Sequence, residues 1–387
     1  MARPRFLPHG DELLLLRAAL LPPTDAVDAW RTWLAQNDID LTPQLALDLF
    51  PAIYRNVGAL IDEDHARGIL QGAYRRAWLR NQLQMSRVAT VIARLNASGI
   101  DTIVLKGAAL VNSVYDDPGV RWMNDVDVLV LVDRAPEAYE VLLGEGWRGE
   151  RNHRGEMEHV VRVLRSVDLM RSDGAALDLH WHVLLECCDA GDDDAFWSGA
   201  VEVTLSNLKT KRLGNEDLLL HAIVHGSYWG LQRSVTWVMD AHRILAKSGS
   251  AFDWDRLITQ TQTRRLTLPM RDGLAFLRQE MGVEVPERVL QSLQATRTSL
   301  TERVAFRAQS VQHGPLQKLY RDLADYALRT RRWPIGERLL GWVWYEKAVL
   351  NVGALWHVPF RLAFLAGRSG GRAVRARLSK PEGQAVA

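Results

Sequence analysis

The sequence predicts an α+β protein, in which a small mixed-sheet domain is flanked by helical N- and C-terminal regions. Three observations predict it. Residues 11–98 carry mainly helical periodicity, punctuated by Pro22-Pro23 and Pro43, with a long helix expected to stop before Gly99. Residues 99–213 alternate short apolar runs with helical stretches, the pattern of a compact α/β unit. From Asn215 the period is helical almost to the end, with Glu216 and Asp217 charging a helix start and Gly249 and Gly282 as stops. The expected divisions are therefore 1–98, 99–213, 214–368 and a basic, flexible tail at 369–387.

At the N-terminus, Asp11, Glu12 and Arg17 fence the run Leu13 to Leu16, which reads as a first amphipathic helix rather than an export signal. In the middle region Ile100 to Leu105 reads as a strand that turns through Lys106-Gly107 into a helix from Ala108 to Tyr115. A buried strand from Val126 to Val132, a helix from Ala135 to Leu143, and strands near Glu158 to Leu164 and Leu177 to Val183 complete it. The acidic run Asp189 to Asp194 reads as a solvated loop that could border a site.

Asp125 and Asp127 head the Val126 strand, and residues two apart on a strand share a face. Two like charges held that close to an apolar strand repel and resist burial unless a cation compensates them. Read alone, an Asp-x-Asp pair more often ends a solvated loop. The neighbourhood favours a divalent metal. A strand turning through glycine into a helix presents free N–H groups and a positive dipole end to phosphate, and Lys106 adds a mobile charge there. Ala175 to Val183 alternates so that Asp178, His180 and His182 share one face, which supplies a third carboxylate.

In this arrangement the chain resembles the polymerase-β-like nucleotidyltransferases. More narrowly, Val104-Leu-Lys-Gly-Ala-Ala-Leu110, Tyr115-Asp-Asp-Pro-Gly-Val-Arg121, Asn124-Asp-Val-Asp-Val-Leu-Val130 and Leu177-Asp-Leu-His-Trp181 are similar to the large uncharacterised bacterial group of that superfamily. The segments Asn215 to His225, Trp237-Val-Met-Asp240 and Phe252-Asp-Trp-Asp-Arg256 continue the likeness, which spans roughly 85–280. The broader superfamily usually has Gly-Ser or Gly-Gly at the phosphate turn and a shorter gap to the Asp pair. This chain has Gly107-Ala108, in the Lys-Gly form of the narrower group.

The resemblance implies magnesium-dependent transfer of a nucleoside monophosphate from an NTP to an acceptor, with release of pyrophosphate. Two magnesium ions about 4 Å apart stabilise the entering and leaving atoms in such chemistry. Asp125, Asp127 and Asp178 would ligate them, Asp178 would also help deprotonate the acceptor, and Lys106, Gly107 and Arg121 would position the phosphates. Arg121 reads equally as a structural ion-pair partner, and His180 and Asp240 as supporting groups. The resemblance further implies a biosynthetic accessory role with a small metabolite or peptide as acceptor; nothing identifies the base of the nucleotide. Three other readings stay open: a toxin-like enzyme transferring AMP to protein hydroxyls, a non-catalytic scaffold, and a zinc hydrolase built on His180, His182, His221 and His225. Against zinc, His221-Ala-Ile-Val-His225 lacks the glutamate of a His-Glu-x-x-His helix.

A net charge of +2 in 387 residues gives no signal for long nucleic acid. The adjacent pair Cys187-Cys188 lacks metal spacing and reads as ordinary thiols of a cytoplasmic protein. Charged residues and Pro359 interrupt the apolar stretch 339–367, so no transmembrane span is expected. The tryptophans of that stretch, with the basic residues up to Lys380, could suit a membrane surface or a partner, although a packed helix with a solvated tail is the plainer reading.

Overall fold

A seven-stranded mixed sheet organises the chain, in the order β3-β4-β5-β2-β1-β7-β6. Its strands are β1 (Ile103–Val104), β2 (Val126–Leu129), β3 (Arg148–Gly149), β4 (Ser166–Met170), β5 (Ala176–His180), β6 (Val201–Leu205) and β7 (Leu208–Arg212). The computed structural model describes residues 4, 6–149, 153–228, 234–309, 315–350, 352, 354–360 and 364. Central β2 is buried along its whole length, apolar except for Asp127. It pairs with β5 in parallel, Asp127 opposite Asp178, and with β1 in antiparallel fashion. The β6–β7 hairpin turns through Ser206 and Asn207, both with positive φ, the geometry of a two-residue turn that matches strand twist.

Helices cover the sheet from both ends of the sequence, so the architecture is the expected α+β one. The helices Asp11–Leu20, Pro23–Leu34 and Phe50–Val57 bury Leu15, Leu16, Trp30, Trp33, Phe50 and Ile53 together. The long helix Asp64–Ala97 follows and ends where Gly99 adopts φ +66°, a conformation that glycine takes without strain. After the sheet come the helices Asn215–Ser227, Thr236–Ser248, Trp254–Arg264 and Thr267–Met281. Gly249 and Gly282 both adopt positive φ just past helix ends, the role their positions suggested. The apolar core runs unbroken from Phe6 through the sheet to Leu293.

Several local expectations are corrected. Residues 158–164 are not a strand: Met157–Val163 is a helix. Its buried Met157, Val160 and Val161 follow i, i+3, i+4 spacing, which a segment this short can share with a strand. The helix after the glycine turn begins at Lys106 and ends at Ser113. The strand holding Asp127 stops at Leu129, and a 3₁₀ turn, Val132–Arg134, follows. The acidic run is no simple solvated loop, because Asp193 is buried and accepts from the Val183 N–H at 3.0 Å. Strands β3, β4, β6 and β7 had no individual counterpart in the sequence reading.

No helix among the described residues is long and apolar enough to cross a membrane. The helix Ile335–Leu350 packs on Met157–Val163 and leaves Ile335, Leu339, Leu340, Trp356 and Phe360 exposed. The basic tail 369–387 lies outside the described residues.

Candidate active site

Pairing Asp127 with Asp178 on adjacent parallel strands puts both carboxylates on one face, and His180 joins them two residues along β5. The His180 Nε2 lies 2.7 Å from Asp178 Oδ2 and 3.2 Å from Asp127 Oδ1. From the turn after β1, Lys106 Nζ donates to Asp127 Oδ1 at 2.5 Å and stands 3.9 Å from Asp178 Oδ2. Asp127, Asp178 and His180 are at most 7% exposed, so these charges act with little screening by water. One ligand atom from each lies within 4.8 Å of the others, the single group of three such donors among the described residues. Asp178 Oδ1 is buried without a hydrogen-bond partner. An orphaned carboxylate oxygen beside a second carboxylate suits a hard cation.

The charges are arranged asymmetrically. Burial penalises the ionised forms of Asp127 and Asp178, but Lys106 and His180 outweigh it and hold both pKa values below the usual carboxylate range. Burial works against the charged forms of Lys106 and His180 as well, and the two carboxylates reverse it, raising both pKa values. Asp125, immediately before β2, keeps an open side to solvent. Enclosure of its carboxyl by the cleft, and then the Asp127 charge, raise its pKa to about 6. The His180 Nε2 faces the two ionised carboxylates, which can only accept and so favour a proton there, while Nδ1 lies 3.3 Å from the His182 carbonyl.

The glycine turn is built by close approach. A Cβ on Gly107 would meet Met123 Cγ at 2.8 Å and Arg121 Nη1 at 2.9 Å, so only glycine fits. Lys106 itself has φ +44°, a left-handed conformation costly for a residue with a side chain, at the position that delivers its ammonium to Asp127. Arg121 is buried in a two-point ion pair: Nε donates to Asp240 Oδ1 at 2.7 Å and Nη2 to Oδ2 at 2.9 Å. Tyr115 adds its hydroxyl to Asp240 Oδ1 at 2.8 Å. The guanidinium fork is thus occupied by Asp240, and Arg121 joins the sheet to the helix Thr236–Ser248.

Sequence reasoning missed the residues that set the loop before Asp125. On the long helix, Asn81 Nδ2 donates to the Pro118 and Arg121 carbonyls, each at 2.5 Å, and Gln84 Nε2 donates to the Asn124 carbonyl at 2.7 Å. Arg80 binds the Met123 and Asn124 carbonyls at 2.7 and 2.9 Å. Tyr74 donates to Asp117, which also accepts from the Gly119 N–H at 2.8 Å. The available signal was polar residues on the stripe that continues Leu70 and Ala77 towards Val88 and Ile92.

The four histidines do not form one ligand set. Only His180 joins the carboxylates, whereas His182 Nδ1 binds Asp193 Oδ2 at 2.6 Å, beyond the end of β5. His221 and His225, on Asn215–Ser227, line a separate cavity of about 80 Å³ with Lys106, Arg121 and Trp237. Burial, then the Lys106 charge, push the His221 pKa well below its ordinary value, so its imidazole is neutral near pH 7. The last motif segment, Phe252 to Arg256, has a structural part. Asp253 caps Trp254–Arg264 through the Asp255 and Arg256 N–H groups, and Arg256 pairs with the buried Asp217.

Comparison with curated proteins gives no match. Among solved structures, the chain is similar to an antigenic nucleotidyltransferase-like protein from Paracoccidioides brasiliensis, at 17% identity and a TM-score of 0.32, over 56% of this chain and 94% of that one. A likeness that loose carries no weight for fold or function. The family described as "Uncharacterised nucleotidyltransferase" matches residues 47–282, well over half of the chain and including every site residue named above. With that match spanning the strand pair, the glycine turn and the helix that faces them, the chain belongs to this nucleotidyltransferase family.

Proposed function

We propose that the protein transfers a nucleoside monophosphate from an NTP to a hydroxyl or amine of a small metabolite or peptide, in a biosynthetic accessory role. The observation that carries this reading is the buried Asp127–Asp178 pair in strand register, with the Asp178 Oδ1 lacking a partner. Asp125, Asp127 and Asp178 would hold magnesium; Asp127 and Asp178 belong to the buried donor group with His180, and all three aspartates offer the carboxylate oxygen that ion prefers. Bound there, magnesium would supply charge stabilisation for the phosphoryl oxygens.

In the reaction the acceptor atom bonds to the α-phosphorus, the bond to the bridging oxygen breaks, and pyrophosphate departs with that electron pair. Asp178 would receive the acceptor's proton or orient the group that loses it. Lys106, which now neutralises Asp127, would turn to the phosphates once a metal shares the carboxylates. Gly107 keeps the backbone close to Arg121, and Arg121 with Asp240 fixes the wall of the site rather than reaching for phosphate. His180 holds the two carboxylates in place through Nε2.

The test uses NTPs labelled at the α-phosphorus, incubated with magnesium and a cell extract of small metabolites and peptides. The expected result is a new labelled product, with pyrophosphate, from the native protein and none from Asp127→Asn. The same product from both proteins, or label recovered only in free nucleotides, contradicts the reading.

A further inference from the structure

The cavity beside Lys106 contains more hydrogen-bond donors than the protein satisfies. His221 Nε2 and Trp237 Nε1 both belong to residues that line it, both are buried, and neither has a hydrogen-bond partner among the described residues. Lys106 contributes an ammonium to the same wall. Tryptophan, lysine and arginine can only donate, and a neutral histidine offers one N–H. The acidic side chain on the wall, Asp240, is already satisfied by Arg121 and Tyr115. Buried polar groups are almost always paired in folded proteins, so an orphaned indole donor and an orphaned imidazole nitrogen, which donates in the tautomer protonated at Nε2, point to a missing acceptor in one small cavity. The Arg165 side chain adds to the positive field felt by His221.

Size narrows the acceptor. About 80 Å³ exceeds the roughly 30 Å³ share of one water, and is well below the roughly 300 Å³ of a site that holds a whole small molecule. One compact oxyanion fits. Position narrows it further, because Lys106 borders both this cavity and the Asp127–Asp178 cluster. A group seated here would lie beside whatever reacts at the carboxylates, with Lys106 between them.

We propose that this cavity is the subsite for the terminal phosphate of the donor nucleotide, with His221 and Trp237 from the C-terminal helices as its anchors and Lys106 between it and the reacting centre. The proposal rests on the nucleotidyl-transfer reading and adds to it that the donor is selected as a triphosphate by the helical region, not by the sheet alone. Free phosphate shares the oxyanion chemistry and is separated by the test.

The experiment is calorimetric titration with magnesium present, using ATP, GTP, CTP and UTP, the four matching monophosphates, and inorganic phosphate alone. The native protein is compared with His221→Ala, His221→Gln and Trp237→Phe. For the triphosphate that binds best, His221→Ala and Trp237→Phe should each weaken binding roughly tenfold, the worth of one hydrogen bond to a charged group. The matching monophosphate should bind within about twofold of native in every variant. His221→Gln keeps an N–H donor and should recover most of the loss, which a merely structural role would not produce. Equal weakening of tri- and monophosphate, or no weakening, overturns the subsite and leaves the nucleotide reading standing. Inorganic phosphate binding as tightly as the triphosphate, and sensitive to His221→Ala, overturns the assignment to the donor's tail. A native protein that binds no triphosphate overturns both.

Discussion

Asp127 shows what the site requires of a single residue. Its carboxylate is 2% exposed and touches Lys106 and His180, so the cost of burying a charge is met by an ammonium and an imidazole from different elements. His221 shows the opposite solution, a titratable group buried in its neutral form. Lys106, His180 and Arg165 disfavour its protonation and Asp127 opposes them more weakly. Because its folded pKa is depressed, the unfolded chain takes up a proton below about 6.5 that the folded chain refuses. Stability referable to His221 is therefore full above that pH and lost as pH falls below it. Urea unfolding of the native protein should lose up to about 1.4 kcal/mol more per pH unit below 6.5 than His221→Gln loses. Parallel losses would show that the imidazole is not buried neutral.

At the scale of elements, the long helix Asp64–Ala97 acts as a template for the loop that leads into β2. Asn81 bonds two of that loop's carbonyls from a fully buried position. Asn81→Ala removes both bonds and should cost about 1–3 kcal/mol. Hydrogen exchange should rise in residues 118–124 before it rises in β2; exchange that rises uniformly, or not at all, would contradict a template role. Legibility in the sequence followed the same line between local and tertiary causes. The shared face of Asp178 and His180, the stop at Gly99 and the helix at Asn215 are set by local periodicity and by glycine conformation, so they could be read directly. The helix Met157–Val163 could not, because so short a segment, with apolar residues at 157, 160, 161 and 163, fits either period. Nor could the roles of Asn81 and Gln84, since a polar side chain on a helix ordinarily marks a solvated face, and here the loop covers it. His182 was grouped with His180 by alternation, and the end of β5 at His180 separates them. The partner of Arg121, 119 residues away, is a purely tertiary fact.

Across the whole molecule, the helical regions and the sheet are joined by one apolar core and by specific ion pairs. Phe6 packs on Trp237 at 5.7 Å and Arg17 meets Glu280 at 3.0 Å, linking the N-terminal helices to the C-terminal ones. Arg121–Asp240 ties the glycine turn to the helix Thr236–Ser248. A sheet bearing the carboxylates thus faces a helical wall bearing His221, and a cleft with two walls is what transfer between a nucleotide and an acceptor requires. The central claim is that the Asp125–Asp127–Asp178 face holds a nucleotide through magnesium. It is tested most directly by calorimetric binding of each nucleoside triphosphate with and without magnesium, to the native protein and to Asp125→Asn/Asp127→Asn. The account predicts magnesium-dependent binding of at least one nucleotide to the native protein and its loss in the double variant. Equal binding by both proteins in the presence of magnesium, or binding by neither, would contradict it.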